Sequence, residues 1–246
     1  MIRYILIISF CVIAFLLSLP FFLVTWIVGK FSKAKADRMH LVVAKGICRV
    51  ALFLAGTRYT IIGREKIPKD TAVLYIINHR SVFDILMMYM FVPGPTGFIG
   101  KLSLRKIPVL NLWLIRLHGL FLDREDIRQG LKTILAAIEE IRNGISIAIF
   151  PEGTRGKDPD ETALLPFHEG SFKVSTKTGC PIVPVAICGT SSIFEDHFPK
   201  VFPKPVIVEI LDPIDPASLE GDNKKFPGRY VQSIVEEAVI RNHGKL

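Results

Sequence analysis

The sequence predicts an α/β protein, with a mixed, mostly buried β-sheet flanked by helices and an N-terminal helical membrane anchor. After residue 56, short β-branched runs alternate with segments of helical periodicity, the pattern of α/β folds. Before them lies a long apolar run. We therefore divide the 246 residues into an anchor, residues 1–55, and an α/β domain, residues 56–246.

The first apolar run is long enough to cross a bilayer. It carries no charge from Tyr4 to Gly29, and a bilayer core requires about 20 apolar residues. Pro20 is expected to kink or break this helix. The positive-inside rule keeps the basic flank that follows on the cytoplasmic side: Lys30, Lys33, Lys35 and Arg38. These features predict an inner (cytoplasmic) membrane protein whose α/β domain is cytoplasmic.

The second apolar segment, residues 41–54, is short for a membrane span and is interrupted by Lys45 and Arg49. We interpret it as a helix on the membrane surface that completes the anchor. The alternative is that it is a helix of the protein core, and the sequence leaves both interpretations open.

The α/β domain is predicted to contain strands over residues 57–62, 72–77, 145–150, 181–187 and 206–211, and helices over 84–91, 127–142 and 231–241. The helix over 127–142 has the clearest signals, because Asp126 can cap it and Gly144 can end it. Its apolar residues fall on one face at helical spacing: Ile127, Leu131, Ile134, Leu135, Ile138 and Ile141.

The charge and the cysteines exclude some classes of protein. A net charge of +8 beside an apolar anchor favours anionic lipid headgroups as partners. No nucleic-acid-binding module is recognisable, so nucleic acid is not expected as a partner. The four cysteines form no CxxC pair and no zinc spacing, and no metal site is expected.

Asn78-His79-Arg80-Ser81-Val82-Phe83-Asp84 carries the first candidate chemistry. His79 can accept a proton near neutral pH, and Asp84 at the start of the next helix can hold its ring in one tautomer. The segment contains no cysteine and no GxSxG elbow, so the pair has no obvious protein nucleophile to activate. We predict a base that activates a hydroxyl of the substrate.

Phe150-Pro151-Glu152-Gly153-Thr154-Arg155 is the second candidate motif. Gly153 allows close backbone approach, Thr154 adds a hydroxyl and an N–H, and the Arg155 guanidinium matches phosphate oxygens. Glu152 could fix a neighbouring arginine or bind a substrate hydroxyl. Further basic residues could serve the same anion, among them Lys101, Arg105, Lys106 and, as the best candidate, Arg124.

Both motifs begin where a predicted buried strand ends. Ligands of open α/β sheets bind outside the carboxyl ends of the strands. Although the strand order is not visible in the sequence, two motifs in such positions predict one shared site.

These motifs resemble those of the glycerolipid acyltransferases, and most closely the bacterial 1-acyl-glycerol-3-phosphate acyltransferases. Asn78-His79-x-Ser81-x-x-Asp84 resembles their HX4D motif, and Phe150–Arg155 matches their third block in full. Residues 119–124, Gly-Leu-Phe-Leu-Asp-Arg, resemble the second block, and residues 183–187 resemble the fourth. All four blocks occur in the family's order over roughly residues 57–190.

The resemblance implies O-acyl transfer to the sn-2 hydroxyl of lysophosphatidic acid, giving phosphatidic acid. His79 would be the base and Asp84 its orienting partner. Arg124, Gly153, Thr154, Arg155 and Lys101 would bind phosphate, with Asn78, Ser81 and Glu152 in support. The acyl donor would be a thioester of acyl carrier protein or coenzyme A, with no cofactor besides this co-substrate, and the partners would be the bilayer, the lysophosphatidic acid and the donor.

Other functions remain open from the sequence. The same chemistry could act on glycerol 3-phosphate, another lysophospholipid or an aminoacylated lipid. A non-catalytic protein that binds anionic lipids would need neither His79 nor Asp84, and a lipid hydrolase would leave the apparent phosphate site without a purpose.

Overall fold

The structure is a computed structural model that describes residues 1–123 and 125–246. Its helices are α1 (Ile2–Phe31), α2 (Lys33–Ala55), α3 (Phe83–Phe91), α4 (Leu110–Arg116), α5 (Ile127–Arg142), α6 (Lys173–Thr178), α7 (Gly221–Lys225) and α8 (Pro227–His243). Its strands are β1 (Arg58–Ile62), β2 (Leu74–Ile77), β3 (Thr96–Lys101), β4 (Leu120–Leu122), β5 (Ser146–Ile149), β6 (Ile182–Cys188) and β7 (Pro205–Ile210).

Within the described residues, seven strands form a sheet in the order β1-β7-β6-β2-β5-β3-β4. Strands β6, β2, β5, β3 and β4 run parallel to one another. Strand β7 is antiparallel to β6, and β1 is parallel to β7. The prediction of a mixed sheet flanked by helices is therefore confirmed.

The strand order brings the two motifs to one edge of the sheet. Strand β2 lies between β5 and β6 and parallel to both, so the three strands end at the same edge of the sheet, at Ile77, Ile149 and Cys188. We call this edge the carboxyl edge. Because β7 and β1 run in the opposite direction, their first residues, Pro205 and Arg58, also lie there.

Two apolar layers cover the sheet, because successive side chains of a strand point to opposite faces. Tyr75 and Ile77 of β2 belong to a core that also includes residues of α2, α3 and α4. Leu74 and Ile76 belong to a second core beneath α5, α6 and α8. Each of these β2 side chains is at most 1% exposed, which fixes the register of the central strand.

The N-terminal helices α1 and α2 pack against each other and against the first core. By length and composition α1 can cross a membrane. Only 11% of its most apolar stretch is buried inside the protein. Of the two effects expected of Pro20, a break is ruled out because α1 continues through it to Phe31, and a kink stays a prediction. Helix α2 fits both interpretations of its sequence, because Leu41 and Leu52 lie in the core whereas Phe53 is exposed.

Helix α5 has the predicted bounds, and the Asp126 side chain accepts hydrogen bonds from the N–H groups of Arg128 and Gln129. The predicted apolar face is buried only in part. Its exposed members are Ile127, Leu131 and Leu135. The helix meets the protein through Thr133, Ala137, Ile138 and Ile141. The buried face of α5 is thus rotated, relative to the predicted apolar face, toward small and polar residues. Thr133 on this face donates a hydrogen bond to the carbonyl of Phe121 in the edge strand.

A substitution at Gly97 of β3 can test how closely the chain packs beside the sheet. A Cβ atom at this position would lie 2.0 Å from the His118 carbonyl oxygen, so Gly97→Ala forces the backbone to move. We expect a loss of about 3 kcal/mol or more in the free energy of unfolding, measured by denaturant titration in detergent. Gly46→Ala is the control, because nothing lies within 4 Å of that exposed helical position. Equal stability of the two variants would contradict the close approach.

Candidate active site

His79 and Asp84 form a hydrogen-bonded pair at the carboxyl edge. His79 follows β2, Asp84 lies in the first turn of α3, and His79 Nδ1 is 2.9 Å from Asp84 Oδ2. Because the carboxylate oxygen can only accept, Nδ1 carries the proton and Nε2 is left as the basic atom. Nε2 makes no hydrogen bond to the described residues, and 13% of the His79 side chain is exposed. The pair is therefore arranged as a general base that a substrate can reach.

The Asp84 carboxylate is fully enclosed and hydrogen-bonded. Besides His79, Oδ2 accepts the backbone N–H groups of Arg80 and Ser81, both at 2.7 Å. Oδ1 accepts the hydroxyl of Thr190 at 2.6 Å. Asp84 is 1% exposed, and these donors offset the cost of burying its charge. The position of the carboxylate, and hence of the His79 ring, is set from several directions.

Asn78 attaches the histidine loop to the neighbouring strand. Its amide donates to the Ile187 carbonyl at 2.9 Å and accepts from the Ile187 N–H at 2.8 Å, so it continues the pairing of β2 with β6. Ser81 accepts from the Phe83 N–H at 3.0 Å, which starts helix α3. Both predicted supporting residues are buried and hold backbone in place.

Glu152 has a different role from either of those expected. Its Oε1 accepts the N–H of His79 at 2.6 Å and its Oε2 accepts the N–H of Leu165 at 3.0 Å. Among the described residues no arginine pairs with Glu152, and a side chain that is 3% exposed with a backbone N–H on each oxygen holds backbone in place instead. The carbonyl of His79 in turn accepts the N–H of Gly156 at 2.9 Å. The two motifs predicted to share a site are thus in direct contact.

The turn after β5 presents the predicted anion-binding residues. Gly153 has φ of 71°, the left-handed region that favours glycine, and its N–H closes the turn onto the Phe150 carbonyl. Thr154 and Arg155 follow on the exposed side of the turn. Arg155 Nη1 is 2.8 Å from Oε1 of Glu195, an ion pair that the sequence did not predict.

One of the remaining basic candidates, Lys101, lies farther along the edge. Lys101 is exposed at the carboxyl end of β3, which β5 separates from β2. Two strand spacings correspond to about 10 Å between β3 and β2. Arg124 lies outside the described residues, so its phosphate-binding role stays a prediction. Across residues 1–123 and 125–246, no group of three or more His, Cys, Asp and Glu side chains could hold a metal ion.

Thr190 and Glu195 are functional candidates that the sequence analysis missed. Thr190 follows β6, so the rule that ligands bind beyond strand ends could have found it, just as it found His79 and Gly153. Glu195 lies in an irregular segment, between short 3₁₀ turns, where no periodicity or motif marks it.

The family model described as Acyltransferase matches residues 58–188, which include both motifs and most of the sheet. The chain belongs to the acyltransferase family. Thr190 and Glu195 lie just beyond the segment that this model matches.

Several relatives in the family are named 1-acyl-sn-glycerol-3-phosphate acyltransferase. The protein of Borreliella burgdorferi is 34% identical over 157 residues, which cover 64% of this chain and 62% of that protein. The Haemophilus influenzae protein is 30% identical over 192 residues, which cover 75% and 78%. The chain spans less than two thirds of the length of several curated relatives, the Borreliella protein among them.

A solved structure shares the whole acyltransferase architecture. The crystal structure of the 1-acyl-sn-glycerophosphate (LPA) acyltransferase PlsC from Thermotoga maritima is 29% identical in sequence, with a TM-score of 0.81. The alignment covers 98% of this chain and 96% of that chain. The similarity therefore extends over the N-terminal helices as well as the α/β domain.

Glu152 makes stability depend on pH. Burial raises its pKa from 4.5 to about 7, against the opposing effect of the N–H groups that it accepts. The folded protein thus binds more protons than the unfolded chain between these values, so stability falls as pH rises through this window. Glu152→Gln removes the titration and loses one acceptor at every pH. From pH 5 to pH 8, the free energy of unfolding of wild type should fall relative to the variant by up to about 3 kcal/mol.

Denaturant titrations of both proteins at pH 5, 6, 7 and 8 measure this difference. Glu139→Gln is a suitable control, because Glu139 is exposed on α5. A difference between wild type and Glu152→Gln that is independent of pH would contradict the assignment.

Proposed function

We propose that this protein transfers a fatty acyl group from an acyl thioester to the sn-2 hydroxyl of 1-acyl-sn-glycerol 3-phosphate, giving phosphatidic acid. The observation that carries the proposal is the His79–Asp84 pair, whose Nε2 makes no hydrogen bond within the described part of the chain, next to a turn suited to phosphate. Membership of the acyltransferase family and the names of the relatives support the same reaction.

In the proposed reaction, His79 acts as the base, and Asp84 stabilises the positive charge that forms on the His79 ring. Nε2 takes the proton of the sn-2 hydroxyl as its oxygen attacks the thioester carbonyl. The tetrahedral intermediate then collapses, the carbon–sulfur bond breaks, and the imidazolium returns the proton to the departing thiolate. The ester and the free thiol are the products. The acyl group passes directly between substrates, so positioning the hydroxyl against the carbonyl is central to catalysis.

The acceptor phosphate would bind at the turn after β5. Thr154 and Arg155 are exposed there, and Arg155 has N–H groups beyond the one that meets Glu195. This location supports a phosphorylated acceptor over a plain lysolipid. Lys101 and Arg124 are proposed to contribute positive charge to the binding of the same phosphate.

The acceptor and the product are membrane lipids, and α1 gives the protein a means to reach them. Its exposed apolar surface supports association with a bilayer, and the basic residues after it support the cytoplasmic face of the inner membrane. The donor is proposed to be a thioester of acyl carrier protein or coenzyme A. The reaction as written needs no metal and no redox cofactor.

Replacing the base should abolish activity. Purified His79→Ala in detergent is expected to lose at least about 100-fold of its acceptor-dependent thiol release, because the group proposed to take the hydroxyl proton is removed. Thiol release is measured with acyl-coenzyme A or acyl carrier protein donors, with lysophosphatidate, glycerol 3-phosphate or no acceptor. The control is His197→Ala, which removes an exposed histidine near the carboxyl edge whose ring packs on Phe202.

Each result has a distinct meaning. Release that requires lysophosphatidate supports the proposal, whereas release that requires glycerol 3-phosphate keeps the chemistry and changes the acceptor. Release from wild type without any acceptor would indicate a hydrolase. No release from wild type with either donor would contradict acyl transfer altogether.

Thr190→Val tests the orientation of Asp84. The hydroxyl that donates to Oδ1 is lost, while the shape of the fully buried side chain is kept. We expect kcat for thiol release to fall about 10-fold, in line with the loss of a hydrogen bond to a charged group. Thr190→Ser should recover most of the activity because it restores the donor. Unchanged kcat in a folded Thr190→Val protein would mean that this bond does not orient the pair.

A further inference from the structure

Glu195 joins the two motif loops through one carboxylate. Oε1 lies 2.8 Å from Arg155 Nη1 and accepts the Val82 N–H at 2.9 Å, while Oε2 accepts the Ser81 hydroxyl at 2.5 Å. Ser81 and Val82 belong to the histidine loop, and Arg155 belongs to the anion-binding turn. Glu195 therefore fixes where the charge of the turn lies relative to His79.

The solvent exposure of the Arg155–Glu195 ion pair indicates what the ion pair contributes. The Arg155 side chain is 46% exposed and that of Glu195 is 19% exposed. An ion pair so open to water contributes little to folding stability. It does restrict a long side chain that would otherwise sample many rotamers, and ordering it before a ligand arrives lowers the cost of binding. One nitrogen of the guanidinium meets Glu195, and the remaining N–H groups are available to oxygen acceptors.

The aromatic residue beside Glu195 holds the segment in place. Phe194 stacks on Tyr4 of α1 with ring centroids 5.7 Å apart, and it meets the edge of Phe83 in α3 at 6.5 Å. Glu195 is thus carried on a backbone fixed between the N-terminal helix and the helix of Asp84. A carboxylate on a fixed backbone can orient a mobile arginine, which a carboxylate on a free loop could not.

We propose that Glu195 is a positioning residue for the acceptor, which acts by orienting Arg155 toward the phosphate of the lysolipid. This inference rests on the proposed function and assigns a role outside the motifs. The oriented guanidinium holds the phosphate at a set distance from His79. Loss of Glu195 therefore weakens acceptor binding more than it slows the chemical step.

The test compares KM for the acceptor with kcat. Glu195→Ala is expected to raise KM for detergent-dispersed 1-acyl-sn-glycerol 3-phosphate about 10-fold at saturating donor, with kcat changed less than about 3-fold. Glu195→Gln keeps an acceptor for Arg155 but loses the charge, so its KM should rise about 3-fold. The KM for the acyl donor should stay unchanged in both variants.

A double variant separates positioning from general structure. In an Arg155→Ala background, Glu195→Ala should add little to KM, because the group that Glu195 orients is already absent. If the role of Glu195 were purely structural, Glu195→Ala would raise the acceptor KM by the same factor in either background. Glu209→Ala is the matched control, since Glu209 pairs with Arg241 at the same 2.8 Å and at exposures of 15% and 47%. It should leave KM unchanged.

The outcomes distinguish this inference from the function on which it rests. Wild type without lysophosphatidate-dependent thiol release would overturn both. An active wild type with unchanged or lower acceptor KM in Glu195→Ala would overturn the inference alone, as would additive effects in the double variant. If Glu195→Ala does not fold, the KM of Glu195→Gln decides in the same way.

Discussion

The buried negative charge of Asp84 is the constraint on which the site depends. A carboxylate that is 1% exposed needs protein donors for its lone pairs, and Asp84 takes them from the histidine loop and from Thr190 beyond β6. Because these donors fix the carboxylate, the His79 ring has one preferred orientation and one preferred tautomer. The backbone of His79 is held independently, by the side chain of Glu152.

The sheet order makes this arrangement possible. With β2 between β5 and β6, the histidine loop can contact the ends of both neighbours at once. Asn78 binds it to β6, and Glu152 binds it to the turn after β5. A register shift in β2 would move Tyr75 and Ile77 out of their core and would turn His79 away from Asp84. The apolar packing that fixes the register of β2 thus also fixes the geometry of the site.

The features that could be predicted from the sequence are those that local signals determine. The bounds of α5 follow from its cap and periodicity, and the shared edge follows from two motifs that each succeed a buried strand. The exposure of Ile127 could not be predicted, since the buried face of a helix depends on the partner that it meets. The contacts of Glu152 were also beyond reach, because Leu165 and His79 approach it only in the folded chain. Glu195 had no local signal, and its place depends on the path of the chain after β6.

The reversed direction of β7 and β1 determines how the chain enters the sheet. Only Gly56 and Thr57 separate the end of α2 from β1, and that connection lies at the edge that carries His79. A link of two residues gives the proposed anchor no slack, so with that anchor in a bilayer the helix packing would set the height of the histidine above the lipid. Encounter with the proposed acceptor would then be a search in two dimensions. Its rate would follow the surface density of the lysolipid among its neighbours rather than its concentration in the cell.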